Sequence, residues 1–99
     1  MKRYRLSRPA KVDLDRIWDY VARNGSVERA DRLIDRITNR FSILARAPQV
    51  GVDRNEVEAG LRSFPVGVYL IYYREADSGG VLIARVLHGM RDQEKAYRS

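Results

Sequence analysis

The sequence predicts an α+β fold in the order β-α-α-β-β-β, with a helical hairpin packed on one face of a small antiparallel sheet. Three observations predict it. Apolar residues recur at helical spacing from Ala10 to Leu44, and the period changes to two between Leu61 and His88. Between the halves lies a segment from Pro48 to Gly60, with Pro48, Gly51 and Gly60 among mixed charges, which reads as a linker. Two amphipathic helices laid across one sheet face bury both patterns at once. With 99 residues, 44% of them hydrophobic, the chain is expected to form one domain over residues 1–99.

Each element has its own local cause. Tyr4 and Leu6 alternate with Arg3, Arg5 and Ser7 as a short strand does. Ser7 then caps a helix whose first turn tolerates Pro9, and Ala10, Leu14, Ile17 and Val21 form its apolar stripe. Asn24-Gly25 stops it, Ser26 caps the next helix, and Val27, Ala30, Leu33, Ile34, Ile37, Phe41 and Leu44 supply the second stripe until Pro48 ends it. Leu61–Val66, Val68–Arg74 and Val81–His88 read as strands. Gly67 and Asp77-Ser78-Gly79-Gly80 make the reversals between them, and Pro65, which has no N–H for a ladder, points to an edge or an end. The tail from Met90 to Ser99 has room for a final helical turn or two.

Composition excludes several functions. The longest apolar run, Val68 to Tyr73, is far short of the ~20 residues of a membrane span, and the charged start has no apolar signal core behind it, so a soluble, cytoplasmic protein without a membrane partner is expected. With no cysteine and one histidine, His88, neither a disulfide nor a metal centre is expected, and no cofactor is implied. The net charge is +6, and residues 1 to 11 hold five bases (Lys2, Arg3, Arg5, Arg8, Lys11) without an acid. Arginine accounts for 16 of the 19 bases, which reads either as coding bias or as a demand for an acidic partner.

No serine occupies a nucleophile elbow, Gly79-Gly80 precedes a strand and not a helix, and the carboxylate pairs Asp15/Asp19 and Asp31/Asp35 are interleaved with arginines as on a solvated helix face. What remains is a basic and aromatic group: Arg62, Tyr69, Tyr72, Tyr73, Arg74, Arg85, His88, Arg91 and Tyr97. By alternation Arg85 and Leu87 share one face of their strand, and Ala84, Val86 and His88 the other. An arginine in mid-strand predicts a wet face opposite the helices. That face either holds an RNA backbone or acidic segment, or is merely a solubilising surface with tyrosines at its edges.

The chain resembles a known family at this point. Tyr4-Arg5-Leu6-Ser7, Ala10, Asp13-Leu14, Ile17-Trp18 and Tyr20, then Leu61 to Gly67 leading into Tyr69 to Arg74, and finally Arg85-Val86-Leu87-His88-Gly89-Met90-Arg91-Asp92 resemble the ParE branch of the ParE/RelE toxin superfamily, over essentially the whole chain. The resemblance implies the same fold and the role of toxin in a type II toxin–antitoxin system, in a hetero-oligomeric complex with its antitoxin. ParE-type toxins act on DNA gyrase and block replication. RelE-type toxins cut messenger RNA on the ribosome, for which Arg62, Arg85, His88 and Tyr97 would be the candidates here. The Val-Leu-His-Gly ending, and the absence of lysine between Pro48 and Gly60, favour the ParE branch and therefore a protein without catalytic residues of its own.

The expected antitoxin is ParD-like, a ribbon-helix-helix protein with an acidic, amphipathic C-terminal tail, and contact with DNA is expected only through it. Arg29, Arg32, Arg36 and Arg40 trace a basic helix face suited to that tail, although intrahelical pairing with Glu28, Asp31 and Asp35 would also use them. Arg85, His88, Arg91 and Tyr97, outside the apolar stripes, are the candidates for binding the target.

Overall fold

The computed structural model describes residues 3–90 and 93–98. Its elements are β1 (Tyr4–Leu6), α1 (Arg8–Asn24), α2 (Val27–Arg46), β2 (Val52–Asp53), β3 (Arg62–Val66), β4 (Tyr69–Glu75), β5 (Val81–His88) and α3 (Gln93–Arg98). The caps act as their residue types require. Ser7 Oγ accepts from the Ala10 N–H at 3.0 Å while donating to the Ala84 carbonyl at 2.7 Å, so one hydroxyl starts α1 and ties it to β5. Ser26 Oγ accepts from the Arg29 N–H at 3.1 Å to open α2. That helix ends at Arg46, before the expected break at Pro48. Among the described residues no helix is long and apolar enough to cross a membrane.

The sheet runs β1-β5-β4-β3-β2. The three long strands pair antiparallel through their turns, as expected, but the sheet is mixed, because β1 lies parallel to β5 with Tyr4 opposite Val81 and Leu6 opposite Ile83. A strand followed by two helices is under no hairpin constraint, so it joins the sheet in whichever direction lets the helices cross the face. The linker segment is also more structured than its composition implies. Val52 and Asp53 form β2 against Ser63 and Arg62, so β3 is not the edge strand, and Pro65 sits past the end of β2 where no partner needs its missing N–H.

The hairpin covers one sheet face: Ile17, Ile37, Phe41 and Leu44 pack on Val66, Ile71, Tyr73, Val81, Ile83 and Val86. At its rim Trp18 Nε1 donates to Asp31 Oδ1 at 2.8 Å and holds the two helices together. Tyr73 is fully buried here, and its hydroxyl donates to the Pro48 carbonyl at 2.9 Å and accepts from the Gly51 N–H at 2.8 Å. A Cβ on Gly51 would sit 2.4 Å from that hydroxyl, which is why the approach needs glycine.

Around Tyr72, Ala84 and Leu87 the opposite face is not the wet surface that an arginine in mid-strand predicts. A second, smaller core of Val57, Leu61, Tyr72, Ala84, Leu87 and Ala96 lies on it, roofed by α3 and the segment before β3. Single apolar residues in polar surroundings, such as Val57 and Ala96, supply that roof without any period to announce it.

Candidate functional site

The ladder between β4 and β5 shifts register, with Tyr72 opposite Arg85 and Tyr73 opposite Ile83. Ala84 is therefore the extra residue of a bulge, and the strict alternation expected for β5 breaks there. Ala84 joins Leu87 in the outer core, whereas Val86 belongs to the core under the helices. Beside the bulge Arg85 is 8% exposed and Asp13, on α1, is 5% exposed.

The two side chains meet fork to fork. Arg85 Nε donates to Asp13 Oδ2 at 2.8 Å and Nη2 to Oδ1 at 2.9 Å. The same Oδ2 accepts from the Val86 N–H at 3.0 Å. The remaining arm, Nη1, donates to the carbonyls of Ala96 at 3.2 Å and Tyr97 at 2.8 Å. One guanidinium thus fastens α1, β5 and α3 at a single point, a use that its planar fork allows and an ammonium would not. Its hydrogen bonds to Asp13 raise its pKa above the ordinary arginine value against the opposing effect of burial.

Tyr97 is likewise committed. Its ring packs 5.5 Å from that of Tyr72, and its hydroxyl donates to Glu58 Oε1 at 3.1 Å. Burial, the Glu58 charge and that hydrogen bond push its pKa up to about 12. Arg98 adds a bond from Nη2 to the Val57 carbonyl, so α3 is clasped to the segment before β3 at two points. Because the folded state holds Tyr97 neutral above its ordinary pKa, the stability it contributes is complete below pH 10 and is lost as pH rises towards about 12. A pH titration of unfolding should show this alkaline loss, and Tyr97→Phe should reduce it.

His88 ends β5 with its ring edge-on to Tyr69, centroids 5.5 Å apart. Its Nδ1 accepts from the Met90 N–H at 3.1 Å, which assigns the proton of the neutral ring to Nε2. It borders a groove of about 680 Å³ between α1 and the ends of β4 and β5. Ile17, Tyr20, Val68 and Tyr69 form apolar walls, Arg16 a cationic rim, and the Asp13–Arg85 pair lies at its floor. Of its wall residues, Tyr20 and Val68 are 66% and 58% exposed.

The four residues named for an RNA-cleaving site do not converge. Arg62 lies in register with Tyr73 and Ile83, four residues along the sheet from the row of Val66, Tyr69 and His88, or about 13 Å at the usual strand rise. Its guanidinium bonds to the Gly51 carbonyl at 2.8 Å and to Gln49 Oε1 at 2.7 Å. Arg91 lies outside the described residues. Among the described residues no group of three metal-ligating side chains comes together.

On α2, Arg29, Arg32 and Arg36 are exposed and Arg40 half-buried. Among the described residues none of them comes within 4.0 Å of a carboxylate, so the intrahelical pairs do not form. Asp31 turns to Trp18 instead. Asp13 is the site residue that sequence reasoning left without a role. Its signal was visible: an acid three residues after Ala10 and four before Ile17 sits inside an apolar helix stripe, where only a buried partner makes it tolerable.

A two-helix hairpin on a mixed five-stranded sheet is a fold this chain shares with solved ParE/RelE toxin structures. The family described as "ParE toxin of type II toxin-antitoxin system, parDE" matches residues 4–93. The chain belongs to this family. It is 38% identical over 88 residues to Toxin ParE1 of Caulobacter vibrioides, covering 89% of this chain and 90% of that one. Among solved structures it is similar to the chromosomal ParDE system of P. aeruginosa, with a TM-score of 0.75 at 21% identity over 89% of this chain and 96% of the other. It is also similar to the toxin–antitoxin complex RelBE2 of Mycobacterium tuberculosis, with a TM-score of 0.59 at 27% identity over 88% and 96%. The chain is a toxin of a type II toxin–antitoxin system, with an antitoxin as its partner.

Proposed function

We propose that this toxin blocks replication by binding DNA gyrase, performs no chemistry of its own, and is neutralised by a ParD-like antitoxin. The observation that carries the reading is the condition of Arg85 and Tyr97. One is buried in a fork with Asp13 and the other is hydrogen-bonded to Glu58, so neither is positioned to serve a phosphate or move a proton near neutral pH. What they build is a firmly held C-terminal helix beside a groove, which suits docking on another protein. On this reading the toxin works in the cytoplasm, and His88, Arg91 and the outer side of α3 belong to the surface that meets the target.

The test is expression in a gyrase-bearing host together with a supercoiling assay on purified enzyme. The expected result is filamentous cells, an SOS response and inhibited supercoiling, with bulk messenger RNA intact. Transcript cleavage at codon boundaries during translation, lost on His88→Ala, would replace this reading with the endoribonuclease one.

The antitoxin's acidic tail fits the unpaired arginines Arg29, Arg32, Arg36 and Arg40, and its ribbon-helix-helix part would supply the only route to DNA. Arg32→Ala/Arg36→Ala is expected to weaken cognate antitoxin binding about tenfold at low salt, with the difference shrinking as ionic strength rises. Isothermal titration at two salt concentrations measures it.

A further inference from the structure

Arg5, one base of the N-terminal charge excess, used by neither the α2 face nor the groove beside His88, has a definite place in the fold. Arg5 lies opposite Leu82, and Leu82 opposite Arg74, so the three form one row across β1, β5 and β4. Tyr4 and Leu6 pack under the helices, as does Tyr73, so by alternation the row lies on the outer face. Arg5 and Arg74 are exposed and Leu82 half-buried between them. Two depressions of about 370 and 340 Å³ share Arg74 and Leu82. They make one groove from Arg5 to Tyr97 and Arg98 of α3.

We infer that this groove is the part of the target-binding surface that recognises an acidic peptide segment in extended form, with an aliphatic side chain between two carboxylates. The inference rests on the reading of the C-terminal helix as target-facing, with which the groove is continuous. Arg5 has no ion pair among the described residues, and Arg74 has only Glu58 at 3.9 Å. A carboxylate already sits there, since Glu58 takes the Tyr97 hydroxyl and neighbours Arg74, while Asp77 borders the far end. Two inter-strand spacings separate the Arg5 and Arg74 backbones by about 10 Å, and in an extended peptide acids four apart lie on one face about 13 Å apart, within reach of the two long guanidinium side chains, with the residue midway between them on the same face. The apolar floor at Leu82 and Ala84 takes the side chain between them. A nucleic-acid strand fits less well: the aromatic ring that lines the groove, Tyr97, is packed against Tyr72 and holds its hydroxyl on Glu58. The groove lies across the sheet from the α2 arginines, so antitoxin seated on α2 leaves it open.

The test compares the full-length toxin with Arg5→Ala/Arg74→Ala and Arg5→Lys/Arg74→Lys, each checked for an unchanged melting temperature. The alanine pair is expected to lose at least tenfold in binding to purified gyrase while keeping its affinity for the cognate antitoxin, and the lysine pair to retain most of both. Gyrase binding unchanged in the alanine pair would overturn the inference. If wild-type toxin does not bind gyrase, the gyrase reading falls and a second arm decides the inference. In that arm the peptide Ac-Gly-Glu-Ser-Leu-Ser-Glu-Gly-NH2 is titrated while the arginine Nε–H resonances are followed by NMR. Shifts at Arg5 and Arg74 that vanish when both glutamates are glutamines support the groove. No shift, an equal response to the glutamine peptide, or tighter binding of a 20-base-pair DNA duplex to the same residues would overturn it.

Discussion

Replacing Arg85 by alanine should destabilise the fold by about 3–5 kcal/mol, because it strands the buried Asp13 carboxylate with the Val86 N–H as its one remaining donor among those described. For a domain whose whole stability is about 5–15 kcal/mol, that approaches unfolding. Substituting both partners behaves differently. Asp13→Leu/Arg85→Met removes both charges together, and replacing a buried ion pair by apolar groups of similar volume is often neutral. The double variant should therefore regain most of the urea midpoint lost by Arg85→Ala. It should not regain the fastening of α3, since the donors to the Ala96 and Tyr97 carbonyls are gone. Hydrogen exchange at the amides of residues 95–98, compared with those of α2, separates the two effects. A double variant as unstable as the single one would show that the pair contributes more than mutual neutralisation.

Phe41→Ala is expected to cost about 3–5 kcal/mol. The side chain is fully buried, belongs to the main core and meets the Tyr4 ring edge-on with centroids 5.4 Å apart. An aromatic pair of this kind adds about 0.5–1.5 kcal/mol beyond area burial. Ile43, two residues along and 39% exposed, is the control. Its replacement by alanine should move the denaturation midpoint far less, and equal losses at both sites would mean that α2 is not seated as described.

The elements legible from sequence were those with local causes. Ser7 and Ser26 are caps wherever a helix follows them, the stripe from Val27 to Leu44 has one period, and Val81–His88 begins and ends where its composition changes. The family was legible because the blocks at the two ends of the chain occur in order at the right spacing. What stayed illegible depended on partners distant in sequence. Asp13 and Arg85 are separated by 72 residues, so an acid in one helix stripe and a base in mid-strand each look anomalous alone and are explained only together. The bulge at Ala84 leaves no mark on composition, yet it decides which face that residue serves. A strand of three residues such as β1 says nothing about its direction, and the outer core is assembled from residues too sparse to show a period.

The parallel seat of β1 on β5 has a consequence in time. Residues 4–6 lie beside residues 81–83, and Ser7 reaches Ala84 across 77 residues, so the first strand has no place to go until the last one exists. Contacts this distant in sequence slow folding, because the chain must lose loop entropy before they reward it. During synthesis, α1 and α2 emerge with their apolar stripes uncovered and remain so until nearly the whole chain has been made. The toxin thus completes its fold late, once β5 has been made and β1 can take its place beside it.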